Sequence, residues 1–164
     1  MKKITTLKMA AASLMLFGVL TFSSCESDPC KDVTCVNGTA TEDGEDCNCV
    51  CETGYEGTQC DELVRAKYLG NYNGSESCTS GTDVYAVSVT AGTTDLDVQI
   101  SNIYDAGFFT NATVNADGNL TIASQSFGTG TISGSGSING NTVTITYTIT
   151  AGGVADQCTY TGTK

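Results

Sequence analysis

Apolar and polar residues alternate with a period of two through most of the C-terminal part of the chain. The clearest run is NTVTITYTIT, whose apolar members are Val143, Ile145, Tyr147 and Ile149. Alternation of β-branched and aromatic residues with polar ones is typical of a strand with one buried face. The runs VYAVSVT, TDLDVQIS, NLTIAS and GTISGSGSI repeat the pattern, and the last places Gly134 and Gly136 at inward positions. The pattern therefore predicts an all-β domain.

Short turn signals separate these runs. They are TAGTT, DAG, NADGN, GTG, NGN and AGG, and SINGNTV is close to a two-residue Asn-Gly hairpin. No connection is long enough for the crossover helix that parallel strands need. We therefore predict an antiparallel meander of eight strands within about ninety-five residues, spanning 68–164.

Two distant cysteines favour one architecture for this meander. Cys78 lies on the predicted first strand and Cys158 on the last. In an eight-stranded up-and-down barrel these strands are neighbours, so a disulfide would join them across the closing seam, at a gain of about 4–5 kcal/mol in the chain-entropy model. A two-sheet β-sandwich is the alternative. The segment YLGNYNG, with Gly70 and Tyr72, resembles the opening of lipocalin-like barrels, whose interiors are filled by side chains or hold one small ligand.

Three residues are candidates for ligand binding inside such a barrel: Tyr72, Glu76 and Tyr147. Glu76 shares a strand face with Tyr72 and Cys78 if the strand is regular. A carboxylate at a barrel mouth can orient a polar ligand, whereas the plainer interpretation is that Glu76 marks a strand end or a β-bulge.

The N-terminal segment has the order of a secretory signal. MKKITTLK is basic, and the fourteen mostly apolar residues MAAASLMLFGVLTF follow it. This run is shorter than the roughly 20 residues that a membrane-spanning helix needs. Residues 1–24 are therefore predicted to be a removed signal peptide.

Cys25 directly follows this segment. Phe22-Ser23-Ser24-Cys25 resembles the lipobox of bacterial lipoproteins, which implies a diacylglycerol on the Cys25 thiol and a fatty acyl chain such as palmitate on the new amino group. The alternative is an ordinary signal peptide, with Cys25 free or paired. CESD resembles the acidic tetrads of Bacteroidota-type lipoproteins, which implies an outer-membrane anchor displayed on the cell surface. Retention on the periplasmic face is the alternative, and residues 25–29 are the expected tether.

Nine cysteines cannot all pair internally, and six of them lie in residues 30–60. CVCETGYEGTQC fits the C-x-C-x-x-G-aromatic-x₄-C signature of EGF-like modules, and CKDVTCVNG also resembles one. The resemblance implies the pairs Cys30–Cys47, Cys35–Cys49 and Cys51–Cys60, although eleven residues separate Cys35 from Cys47, more than is usual. Sequence alone leaves fifteen pairings open. The expected boundaries are 30–60 for the module and 61–67 for a linker.

A cysteine-rich segment can also be a zinc-binding site, but export and the absence of histidine do not favour zinc here. Calcium is the other possibility, because the loop TEDGED supplies four carboxylates: Glu42, Asp43, Glu45 and Asp46. The loop lacks the length and ligand alternation of an EF-hand, and acidic runs are usually solvated. We therefore expect no cofactor, with calcium as the weaker alternative.

Charge and composition limit the classes of function that this chain can have. Removal of the signal leaves four basic residues, Lys31, Arg65, Lys67 and Lys164, against eighteen acidic ones, so nucleic acid is not an expected partner. The absence of histidine excludes Ser–His and Cys–His nucleophiles, and Asp95 and Asp97 fall on an outward strand face. We therefore expect a non-enzymatic, lipid-anchored surface protein whose EGF-like spacer presents a barrel to an extracellular protein or glycan. The alternative is a lipocalin-like carrier of a small apolar ligand.

Overall fold

The computed structural model describes residues 28–164, so the predicted signal segment and the lipidation site Cys25 lie outside the described residues. Within 28–164 no helix combines the length and the apolar character needed to cross a membrane. The strands are β1 Gly38–Asp43, β2 Asp46–Cys51, β3 Tyr55–Glu56, β4 Glu62–Leu63, β5 Gly70–Cys78, β6 Thr82–Ala91, β7 Asp97–Ser101, β8 Phe109–Val114, β9 Leu120–Phe127, β10 Gly130–Asn139, β11 Thr142–Ala151 and β12 Val154–Thr163. Two 3₁₀ helices span Val64–Tyr68 and Ile103–Asp105.

The first four strands form a small N-terminal module built on disulfides. β1 and β2 pair as a hairpin, and β3 pairs with β4. The bonded cysteines are Cys30–Cys47, Cys35–Cys49 and Cys51–Cys60, the pairing that the EGF-like resemblance implies. A segment of this size cannot bury a sufficient apolar core, so the cross-links supply stability that burial does not.

The remaining eight strands close into an antiparallel barrel. Each strand from β5 to β12 pairs with the next, and β12 pairs with β5 to complete the ring. The up-and-down barrel predicted from the sequence is thereby confirmed, and the sandwich alternative is excluded. Cys78 and Cys158 are direct register partners across the closing pair and form a disulfide with a Cα–Cα distance of 4.0 Å.

Side chains fill the barrel interior. The apolar face predicted for NTVTITYTIT points inward, and Val143, Ile145, Tyr147 and Ile149 are all buried. Gly134 lies next to a register shift in β10, and a Cβ there would overlap the carbonyl oxygen of the neighbouring strand β11, so the close approach requires glycine.

Buried tyrosines bridge the interior by donating hydrogen bonds to backbone carbonyls. The Tyr72 hydroxyl donates to the carbonyl of Tyr68 at 2.8 Å, and the Tyr160 hydroxyl donates to the carbonyl of Tyr72 at 2.9 Å. The Tyr68 hydroxyl donates to the carbonyl of Gly118 at 2.7 Å. Each of these three tyrosine hydroxyls therefore has a hydrogen-bond partner inside the barrel.

The two ends of the barrel differ. The proximal end carries the loops 92–96, 115–119 and 140–141 and is covered by the 3₁₀ helix Val64–Tyr68, which joins the barrel to the N-terminal module. Arg65 on this helix donates to the carbonyl of Thr94 and lies 3.6 Å from Asp95, which also accepts a hydrogen bond from Tyr55 of the module at 2.8 Å. The distal end carries the loops 79–81, 102–108, 128–129 and 152–153. It points away from the module.

Candidate functional site

The distal end contains a strained loop between β7 and β8. Asn102, Tyr104 and Asp105 have φ values of 63°, 63° and 44°. The left-handed region is costly for residues with a side chain, at about 1–3 kcal/mol each, and such residues cluster at binding sites. The Asn102 side chain offsets part of this cost, because its amide donates to the carbonyl of Ala86 at 2.9 Å and its oxygen accepts from the amide of Gly107 at 3.0 Å.

Tyr104 extends from this loop across the distal mouth. Its hydroxyl donates to Asp156 at the start of β12, with an oxygen–oxygen distance of 2.9 Å. Its backbone amide donates to the hydroxyl of Tyr85 on β6 at 2.9 Å. Ile103, which precedes it, is fully buried and fixes the loop to the core. The loop therefore covers part of the mouth and is attached on both sides.

Asp156 holds several distal groups together. It accepts hydrogen bonds from the hydroxyls of Thr79, Ser80 and Tyr104 and from the amide of Ser80. These donors, the Ser80 hydroxyl first among them, lower the pKa of Asp156 to about 2. This carboxylate is therefore a structural anchor whose oxygens are already engaged.

Glu76 lies below the mouth and is only 5% exposed. Its Oε1 accepts hydrogen bonds from the hydroxyl of Tyr85, at 2.5 Å, and from that of Tyr147. Burial raises the pKa of Glu76 above its ordinary value, the Tyr85 hydrogen bond opposes the rise, and nearby Asp83 and Asp156 add to it. A carboxylate is rarely buried without a cationic partner, and here two phenol hydroxyls hold it.

Asp83 is the direct register partner of Glu76 across β5 and β6. Directly opposed residues of antiparallel strands project from the same face of the sheet, so both carboxylates face the distal mouth. Opposed like charges are destabilising in a sheet. The pair is therefore a local cost to the fold.

Two cavities open beside Tyr104 and Ser80. The smaller, of about 230 Å³, is lined by Glu76 and Asp83 among others. The larger, of about 480 Å³, has apolar walls from Ile149, Ala151 and Val154. Tyr104 and Ser80 thus line both the acidic cavity and the mainly apolar one, which Thr79 and Asp156 also border.

Apolar side chains are also exposed near this end. Phe108 is 50% exposed and Phe109 is 59% exposed, and Val154 on β12 is 72% exposed. Phe108 packs edge-on against Phe127 with ring centroids 5.5 Å apart. Aromatic residues held in place yet open to solvent are typical of interaction surfaces.

The structure brings together two of the three ligand candidates taken from the sequence. Glu76 and Tyr147 are hydrogen-bonded. Tyr72 lies deeper, fully buried, with its hydroxyl engaged by the proximal 3₁₀ helix. Glu76 lies in unbroken register on both sides, so it does not mark a β-bulge, and it is two residues before the end of β5.

Sequence reasoning missed Asp83, Tyr85, Tyr104 and Asp156 as parts of this site. Asp83 was accessible from the pattern, because it has the same strand parity as Tyr85 and Val87, which the alternation places inward. Tyr104 gave no such signal, since it lies in an irregular loop.

The calcium candidates form an exposed β-turn. Asp43 and Asp46 are the last register pair of the β1–β2 hairpin, and Glu42 and Glu45 are exposed beside them. Among residues 28–164, the one group of three convergent metal-ligand atoms is Glu76 with Cys78 and Cys158, and both of those sulfurs are in a disulfide.

Asp95 and Asp97 do not form a catalytic pair with a shared cleft. Asp95 contacts Tyr55 and Arg65 at the module junction, while Asp97 accepts hydrogen bonds from the amide of Thr94 and the hydroxyl of Thr113.

A further groove, of about 540 Å³ on the outer wall of β5, β6 and β12, is lined mainly by serine and threonine.

Comparison of the chain with protein-family models, curated protein sequences and solved structures finds no match.

Proposed function

We propose that this chain is a lipid-anchored cell-surface protein in which an EGF-like module holds a β-barrel binding domain away from the membrane. The arrangement of the two barrel ends carries the proposal. The proximal end contacts the module, and the module follows the lipobox-like Cys25 in the chain. An anchor at Cys25 would therefore leave the distal end as the end of the barrel opposite the module.

The distal end has the features of a binding surface. A strained loop, exposed Phe108 and Phe109, and two adjoining cavities converge there. Binding residues are commonly placed on loops held by a rigid scaffold, and a closed barrel with a disulfide across its seam is such a scaffold. These features support binding of an extracellular protein or glycan rather than catalysis.

The packed interior favours this role over that of a lipocalin-like carrier. Tyr68, Tyr72, Tyr147 and Tyr160 occupy the space that a carrier reserves for its ligand. A small apolar ligand would instead have to occupy the 480 Å³ distal cavity beside Tyr104.

The anchor is tested by labelling expressing cells with an alkyne-bearing fatty acid and comparing the wild-type chain with Cys25→Ala. Label on the wild type alone is expected. Protease treatment of intact cells should then remove the barrel, and protection of the barrel would contradict surface display.

The binding face is tested separately by offering the purified full chain to arrays of extracellular proteins and glycans. Binding should be lost in the double variant Phe108→Ser, Phe109→Ser. The matched control is Val50→Ser, because Val50 is 61% exposed but lies on β2 in the N-terminal module. Equal loss in both variants, or in neither, would contradict a distal binding face.

A further inference from the structure

The distal mouth contains two opposed carboxyl groups, and no cationic side chain among the described residues pairs with either. Glu76 and Asp83 are direct register partners that face the same side of the sheet. Within residues 28–164, the ion pairs join Arg65 to Asp95 and Lys67 to Glu56, both at the module junction. The sheet thus holds opposed carboxylates that nothing in the described chain neutralises, and a bound cation would relieve the repulsion.

One oxygen of Glu76 is available to a ligand. The hydroxyls of Tyr85 and Tyr147 both donate to Oε1 and hold the carboxylate in one orientation. No side-chain hydrogen bond among the described residues reaches Oε2, although Glu76 is 95% buried and lines the 230 Å³ cavity. Among the described residues, Oε2 is not one of the fully buried side-chain oxygens, so it is reachable from the cavity, where a ligand N–H can donate to it.

The geometry selects among the possible cations. A divalent metal needs several convergent oxygen ligands, but no three carboxylates of residues 28–164 have oxygens within 4.8 Å of one another. A guanidinium binds best through two parallel hydrogen bonds to both carboxylate oxygens, and Oε1 is already occupied. An ammonium group is a compact charge with three donors, and it needs only one oxygen from each partner.

The lining of the two cavities suggests the rest of the ligand. Tyr104 and Ser80 border both the acidic cavity and the apolar cavity of Ile149, Ala151 and Val154. The tyrosine ring offers a cation a favourable face, and the apolar walls accept an alkyl chain. The acidic cavity is smaller than the roughly 300–1,000 Å³ of pockets for drug-sized ligands, so it suits a head group.

We propose that the distal end of the barrel binds a primary ammonium group on an alkyl chain, with the ammonium between Glu76 Oε2 and Asp83 and the chain beside Tyr104. A free alkylamine and the lysine side chain of a partner protein share this chemistry. The inference rests on the proposed distal binding role and specifies what that role recognises.

The test is titration of the purified full chain, in detergent at neutral pH, with n-butylammonium, followed by NMR of the methyl groups of Val154 and Ile149. Two analogues with the same chain, n-butylguanidinium and n-butanol, test the head group. The variants are Glu76→Gln, which keeps the shape and one acceptor, and Asp83→Asn at the exposed rim. The control is Asp117→Asn, the same chemical change in a proximal loop.

We expect saturable binding of n-butylammonium at least tenfold tighter than of either analogue. Glu76→Gln should weaken binding at least tenfold and Asp83→Asn about fivefold, while Asp117→Asn changes it less than twofold. If Nα-acetyl-lysine amide binds as tightly as n-butylammonium, the source of the ammonium group is a lysine of a partner protein. If Nα-acetyl-lysine amide does not bind, the source is a free amine. Equal binding of n-butanol, or unchanged binding in the Glu76 and Asp83 variants, would overturn the inference.

Failure of this inference is separable from failure of the proposed function. If the amine does not bind but the Phe108, Phe109 variant still loses its array partner, the distal face binds something else. If that variant retains its partner or the barrel is protected on intact cells, the proposed function fails whatever the amine titration gives.

Discussion

The hydrogen-bond partners of Glu76 make it the most informative single residue of the barrel. The hydroxyls of Tyr85 and Tyr147 fix Oε1 of Glu76 in position. The neighbouring carboxyl group of Asp83 disfavours the ionised form of Glu76. Natural chains keep such groups mainly where function requires them, because an apolar residue of similar size would pack without this cost. The cost is measurable through the pH dependence of stability.

Glu76 should make the barrel less stable as the pH rises. Its folded-state pKa lies above the value of about 4.3 in an unfolded chain, so the folded state binds more protons between the two values. The free energy of unfolding therefore falls as the pH rises through the folded pKa, relative to a variant that does not titrate. Urea unfolding of the wild type and Glu76→Gln from pH 4 to pH 8 measures this. A difference between the two proteins that stays constant with pH would contradict the burial argument.

Thr110 offers a second prediction at the scale of one side chain. It is fully buried on β8, and its hydroxyl has no hydrogen-bond partner among the described residues. Thr110→Val keeps the shape and removes the unpaired hydroxyl, so it should raise the unfolding free energy by about 1–3 kcal/mol. Thr121→Val, on the exposed face of β9, is the control and should change it by less than about 0.5 kcal/mol. Destabilisation by Thr110→Val would mean that the hydroxyl is bonded, for example to a buried water.

At the scale of strands, the period of two predicted the eight antiparallel strands, and the distant cysteine pair was needed to favour a barrel over a sandwich. The buried faces of β6, β7 and β11 are those that the alternation indicates, and the Cys78–Cys158 pair correctly selects the closed ring. The pattern fails in the loop 102–108, because left-handed backbone at Asn102 and Tyr104 is stabilised by partners on distant strands. That loop supplies Tyr104 and Phe108, so the sequence pattern gave access only to the part of the site that lies on strands.

The seam disulfide should contribute much more to barrel stability than a module disulfide does. Cys78 and Cys158 are 80 residues apart, which in the chain-entropy model corresponds to about 4.5 kcal/mol. The double variant Cys78→Ser, Cys158→Ser should lose approximately that amount in urea unfolding followed by barrel tyrosine fluorescence.

The matched control is Cys51→Ser, Cys60→Ser, which opens a bond spanning 9 residues within the module. It should leave the barrel transition within about 1 kcal/mol of the wild type, because these cysteines lie outside the barrel. Equal effects of the two double variants would show that module and barrel unfold as one unit.

At the scale of the whole molecule, the junction determines how the barrel is held relative to the module. Asp95 accepts the Tyr55 hydroxyl and pairs with Arg65, and Gly54 lies so close to Leu96 that a Cβ would approach its side chain to 2.7 Å. The segment 61–67 expected as a linker forms β4 and most of a 3₁₀ helix, so the connection is structured. If the chain is anchored at Cys25, this junction decides whether the distal site is presented in a fixed direction.

Asp95→Ala should loosen that direction with little loss of stability. The contacts of Asp95 are exposed, and exposed ion pairs contribute about 0–1 kcal/mol, so the unfolding free energy should change by no more than this. Residual dipolar couplings of the wild type should fit a single alignment tensor for the module and the barrel. Those of Asp95→Ala should require a separate alignment tensor for each. The control is Asp117→Ala, which removes an exposed carboxylate from another proximal loop. A single alignment in Asp95→Ala would mean that the Gly54–Leu96 packing and the Arg65 bond to Thr94 hold the module without Asp95.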